Sequence, residues 1–153
     1  MGTRNFSASM DNSQPPRGAV AAVVTTYQPN LQTLEAQFVR LDGQVDSLLV
    51  IDNGSADSQQ VAELVARYPS ARFIGETENR GLGWAHNKGL RWALDEGADA
   101  VLLLDQDSLP SEGMVDALHA ALIHQRRQGV KTAAVGARYL GTDRGHPSYF
   151  VQF

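Results

Sequence analysis

The sequence predicts an α/β fold with a mainly parallel sheet and helices on both faces. Two observations carry this. Short apolar, β-branched runs alternate with segments whose apolar residues recur at helical spacing. The order strand-helix-strand, repeated along the chain, is that of right-handed βαβ crossovers. Composition agrees: 153 residues, 42% hydrophobic and 20% charged, suit one domain with one sizeable core.

The elements follow in order. Residues 1–18, MGTRNFSASMDNSQPPRG, are polar and rich in Ser, Asn and Pro, and are expected to be a disordered lead. AVAAVVTTY (Ala19–Tyr27) reads as a buried strand, stopped by Pro29. Asn30 can cap a helix carrying Leu31, Leu34, Phe38 and Leu41, which Gly43 ends. SLLVID (Ser47–Asp52) is the second strand. Asp57 or Ser58 can cap a helix with Val61, Leu64 and Val65. ARFIG (Ala71–Gly75) is a third strand, followed by the loop ETENRG and a helix over about 83–94. VLLLD (Val101–Asp105) is the fourth strand. Pro110 suits the first turn of a helix through Met114, Val115, Leu118 and Leu122. VKTAAVGARYL (Val130–Leu140) is expected to be a fifth strand, and residues 142–153 a tail without period.

Several function classes are excluded. The chain has no cysteine, so disulfides, thiol catalysis and Cys-ligated zinc are ruled out. A net charge of -4 argues against a nucleic-acid binder. No apolar run reaches the roughly 20 residues of a membrane helix. His86, His119, His124 and His146 lack metal-site spacing, and no nucleophile elbow occurs. In GLGWAHNKGL, His86 stands where a dinucleotide fingerprint needs a third glycine.

In open sheets of this class ligands bind beyond the carboxyl ends of the strands. Those ends carry Thr25, Thr26 and Tyr27; Asp52; Glu76 and Asn79; and Asp105 and Asp107. The last pair is the sharpest feature. Residues i and i+2 of an extended segment share a side, so two carboxylates there can hold one hard cation, Mg²⁺ or Mn²⁺, and through it a diphosphate. Two other readings stand beside it: Asp107 or Ser108 caps the next helix, or Asp105 is the nucleophile of a haloacid dehalogenase-type phosphatase. Asp52 can accept a hydrogen bond from a base or ribose, or cap its own turn. Arg80 can reach a phosphate or base, and Asn87 lies on the first turns of the helix after it.

VVTTYQPN, VIDNGSAD, ENRGLGWAHNKGLRWAL and LLLDQDSLP, in that order, resemble the glycosyltransferases of family two, which have the GT-A fold. The resemblance covers about residues 19–141. Gln106 between the aspartates, Ser-Leu-Pro after them and VGARYL are similar to the bacterial rhamnosyltransferase branch. The resemblance implies a nucleotide pocket with Thr25, Tyr27, Asp52, Arg80, Asn87 and Asp105, and a Mg²⁺ or Mn²⁺ ion on Asp105 and Asp107. It implies inverting transfer from dTDP-rhamnose or a similar donor to a saccharide or lipid-linked acceptor, in cell-surface polysaccharide synthesis. A cytoplasmic protein, free or peripheral at the inner face of the membrane, goes with that role. The family also carries a second half with the catalytic base. The expectation is therefore that residues 19–141 are the donor-binding part, with the base beyond Phe153 and neither Asp143 nor His146 in a matching motif. The rival expectation is a self-sufficient, non-catalytic nucleotide-sugar binding module.

Overall fold

The computed structural model describes residues 18–137. Most of the expected N-terminal lead and all of the tail, with Asp143 and His146, lie outside them. The elements are β1 (Val20–Thr26), α1 (Leu31–Leu41), β2 (Ser47–Asp52), α2 (Ser58–Val65), β3 (Ala71–Gly75), α3 (Leu82–Asp95), β4 (Ala100–Asp105) and α4 (Met114–Arg127). The four strands are all parallel, in the order β3-β2-β1-β4.

This order explains which strands are buried. β1 and β2 are central, and every residue of β1 is buried. A central parallel strand needs apolar residues on both faces, and VAAVVTT provides them until its last two positions. Among the described residues β3 and β4 are the edges, and both are partly exposed.

Chain direction places the helices. From β1 to β2 to β3 the sheet grows one way, and α1 and α2 cover one face. The step to β4 crosses back over β1, so α3 covers the other face, as right-handed crossovers require. Two cores result. On one face Ala22, Val24, Leu48 and Val50 meet Leu34, Phe38 and Leu41 of α1 and Val61, Leu64 and Val65 of α2. On the other Val23, Leu49 and Ile51 meet Ala85, with Trp84 and Trp92 packed alongside. Each fully buried Leu or Phe contributes about 1.5–3 kcal/mol of transfer free energy.

Gly89 sets how near α3 can approach. A Cβ there would lie 2.4 Å from Val23 Cγ1, so only glycine permits this packing. At the start of α1, Asn30 accepts a hydrogen bond from Thr33 N at 3.0 Å, the expected cap. Asp57 occupies the cap position of α2 without a side-chain cap bond.

Two expectations are corrected. Pro110 does not open a helix: α4 begins at Met114, because Gly113 in the left-handed region (φ 70) breaks the chain before it. The start at Met114 also leaves Asp107 and Ser108 too far upstream to cap α4. The expected fifth strand is absent over residues 130–137, and residues 138–140 lie outside the described ones. Here the backbone turns on itself: Val130 N donates to Gln125 O at 3.1 Å and Thr132 N to Val130 O at 2.9 Å. Those local bonds take the place of a ladder. Among the described residues, no helix is long and apolar enough to cross a membrane.

Candidate functional site

Strand order reverses between β1 and β4, so their carboxyl ends splay and leave a crevice. It holds about 400 Å³ and is lined by Thr25, Thr26, Tyr27, Asn53, Asn79, Leu82, Asp105, Gln106 and Asp107. A second hollow of about 320 Å³, between the amino end of β4, α3 and α4, is mainly aliphatic.

The β1–β4 register sets Thr25 opposite Asp105. Neighbours in register share a face, so this hydroxyl and this carboxylate point the same way. Thr25 Oγ1 is buried and has no hydrogen-bond partner among the described residues. Asp105 and Asp107 are both exposed. Among the described residues neither carboxylate accepts a hydrogen bond or forms an ion pair. Like charges so close, with no cation of the described residues paired to them, form a site of negative potential.

No group of three or more His, Cys, Asp or Glu side chains among the described residues could hold a metal by itself. Two carboxylates beside an unpartnered hydroxyl are nevertheless a suitable donor set for Mg²⁺. That ion commonly takes one or two carboxylates and completes its shell with water and substrate phosphate oxygens. The chemistry of this pair fits a hard cation that completes its shell with ligands from outside the protein, not one caged by it.

The crevice floor is built by a hydrogen-bond lattice. Asp52 is fully buried. Its Oδ1 accepts from Thr26 Oγ1 at 2.8 Å and from Ser55 Oγ at 2.6 Å, and its Oδ2 from Ser55 N at 3.0 Å. Asp52 therefore braces the β1 and β2 ends from beneath, as the turn-capping reading expects, and does not line the crevice. Ser55 Oγ also receives Gln28 N at 2.8 Å, which stabilises Gln28 at φ 50, an uncommon conformation for a non-glycine residue.

Asn53 and Asn79 couple the β2 turn to the ETENRG loop. Asn53 Nδ2 donates to Asn79 Oδ1 at 3.0 Å, Arg80 N to Asn53 Oδ1 at 3.0 Å, and Gly81 N to Asn79 Oδ1 at 2.9 Å. Gly54 (φ 86) makes the approach possible, since a Cβ there would sit 2.6 Å from the Glu78 carbonyl carbon.

Arg80 is placed by its backbone, but its side chain lies outside the crevice lining. The guanidinium is 5.1 Å from the Trp84 ring and 3.3 Å from Glu78. Such an exposed pair is worth under about 1 kcal/mol and does not lock the arginine. Asn87 is exposed on α3, also outside the lining. The crevice thus brings together Thr25, Tyr27, Asp105 and Asp107 of the expected residues, with Asp52 below and Arg80 and Asn87 beyond its rim.

Reasoning from sequence did not single out Asn53, Leu82 or Gln106 as lining residues, nor Gln37. Gln106 pairs with the Tyr27 backbone: Tyr27 N donates to Oε1 at 2.8 Å, and Nε2 to Tyr27 O at 3.2 Å. Gln37 had one visible signal, a polar residue on the apolar face of its helix beside Leu34, Phe38 and Leu41. The family model described as Glycosyl transferase family 2 matches residues 22–150. No curated protein matches the chain.

Proposed function

The chain belongs to glycosyl transferase family 2, and on that premise we propose that the β1–β4 crevice binds a nucleotide-sugar donor through a divalent cation held by Asp105 and Asp107. One observation carries the reading. Two exposed carboxylates stand at the switch point of the sheet beside the hydroxyl of Thr25, and none of the three has a partner among the described residues.

In this reading Mg²⁺ or Mn²⁺ supplies charge neutralisation for the leaving diphosphate. Thr25 Oγ1 and Asn53 offer polar contacts to the nucleotide, and Tyr27 and Leu82 an apolar wall. Asp52 acts at one remove, by holding Thr26 and the β2 turn. Arg80 reaches a phosphate only by leaving Trp84, a contact worth roughly 0.5–1 kcal/mol at an exposed site. In the transfer, an acceptor hydroxyl oxygen bonds to the anomeric carbon as that carbon's bond to the diphosphate breaks. The bonding pair leaves with the diphosphate, and the hydroxyl proton passes to a base on the acceptor side. No described residue is assigned that base.

The donor we favour is dTDP-rhamnose, with inversion at the anomeric carbon and a saccharide or lipid-linked acceptor. This rests on DQDSLP and VGARYL, which are similar to the rhamnosyltransferase branch. Titration calorimetry with dTDP and UDP, with and without Mn²⁺, tests the proposal. The expected result is binding that Mn²⁺ strengthens in the native chain and not in Asp107→Asn. A folded chain that binds neither nucleotide would overturn it.

A further inference from the structure

Gln37 is fully buried in α1, on the face packed against the sheet. Burying a primary amide is unfavourable unless its hydrogens meet acceptors. Both do. Nε2 donates to Asp105 O and to Ser108 O, each at 2.7 Å. Two carbonyl acceptors can be served only by the NH₂ end, so the chemistry fixes the amide's orientation. Gln37 Oε1 has no partner among the described residues. What this side chain contributes to the site is therefore its pair of donors.

The two carbonyls bracket the turn that carries Gln106 and Asp107. Ser108 N closes that turn on Asp105 O at 3.2 Å. From the side, Gln106 clasps the Tyr27 backbone through both ends of its own amide. The turn is thus held from beneath by α1 and laterally by the end of β1, and none of these bonds engages a carboxylate.

We infer that Gln37 is a positioning residue that sets the Asp105–Ser108 turn so that both carboxylates present to the crevice, with Gln106 latching the same turn to Tyr27. This rests on the proposed function for what the carboxylates hold, but the clamp has its own observable.

Gln37→Met keeps the volume and removes both donors. Gln37→Glu keeps the shape and sets a carboxylate against two carbonyls. Both variants are expected to speed amide hydrogen exchange at residues 106–108. Both are expected to weaken dTDP binding in Mn²⁺ by about tenfold, the usual effect of losing a residue that orients metal ligands. Binding without metal should change by less than about twofold, with Glu the more damaging variant. Leu34→Ala, which destabilises the same helix without touching the turn, should leave the Mn²⁺-dependent gain in affinity intact. Should Gln37→Met not fold, Gln106→Leu removes the lateral clasp and is expected to show the same two changes. Native exchange at the turn together with a native Mn²⁺ gain in Gln37→Met would overturn the inference while leaving nucleotide binding in place. If the native chain binds neither dTDP nor UDP, the functional reading falls, and the exchange measurement alone decides whether the clamp exists.

Discussion

Replacing Asp52 by Ala separates a brace from a ligand contact. The substitution removes three acceptor bonds: from Thr26 Oγ1, Ser55 Oγ and Ser55 N. A hydrogen bond to a charged group contributes about 1.5–3 kcal/mol net, so the gross loss is roughly 4.5–9 kcal/mol. Relief of the buried charge's own desolvation offsets part of that, leaving a net destabilisation of about 3–5 kcal/mol. For a domain of this size roughly 4 °C is lost per kcal/mol, so Tm should fall by roughly 12–20 °C. Asp52→Asn keeps the shape and lets the hydroxyls turn to meet the amide, so it should lose only about 1–2 kcal/mol. Circular dichroism melts measure both variants, and nucleotide titration below the transition measures what binding survives. A Tm within about 2 °C of the native chain's for Asp52→Ala, with nucleotide binding abolished, would refute the reasoning and make Asp52 a direct contact.

Gly89→Ala forces a Cβ to within 2.4 Å of Val23 Cγ1. It should cost about 1–3 kcal/mol by overpacking, and Val23→Ala should recover part of that in the double variant, a coupling that denaturant melts detect. Asn53→Ala frees Arg80 N and the Asn79 side chain, so hydrogen exchange at residues 79–81 should accelerate while the α1 amides stay protected. Glu78→Gln removes only an exposed partner of Arg80, and its melt should match the native one to within about 0.5 kcal/mol.

Much of the fold was legible because its signals are local. VAAVVTT and SLLVID are too uniformly apolar for any place but the sheet centre, and Asn30 and Gly43 bracket a helix by chemistry that acts within a few residues. The fifth strand misled for the opposite reason. Val130–Leu140 has strand-like composition, but a strand exists only where a neighbour receives its ladder, and at Val130 and Thr132 the backbone bonds locally instead. The Pro110 start failed because a later glycine with positive φ outweighed proline's preference for a first helical turn.

The site divides the same way. Position at strand ends sufficed to bring Thr25, Tyr27, Asp105 and Asp107 to one crevice. Asp52 shares that position, yet the side of the strand it occupies and the hydroxyls that meet it come from Thr26 across the ladder and from Ser55. Gln37 and Gln106 were hidden because their work is done at 68 and 79 residues' separation, on backbone atoms. Spacing along the chain carries no trace of such partners. The phosphatase reading of Asp105 gives way to the family match, which begins within β1 and runs past β4.

The central claim is that Asp105 and Asp107 hold a cation that in turn holds a sugar-nucleotide diphosphate. Isothermal titration of dTDP into the native chain and into Asp107→Asn, each with and without Mn²⁺, tests it most directly. The account predicts that Mn²⁺ tightens binding about tenfold or more in the native chain, and that Asp107→Asn loses this gain while keeping its metal-free affinity. An equal loss of affinity in both conditions, or a folded native chain indifferent to Mn²⁺, would contradict it.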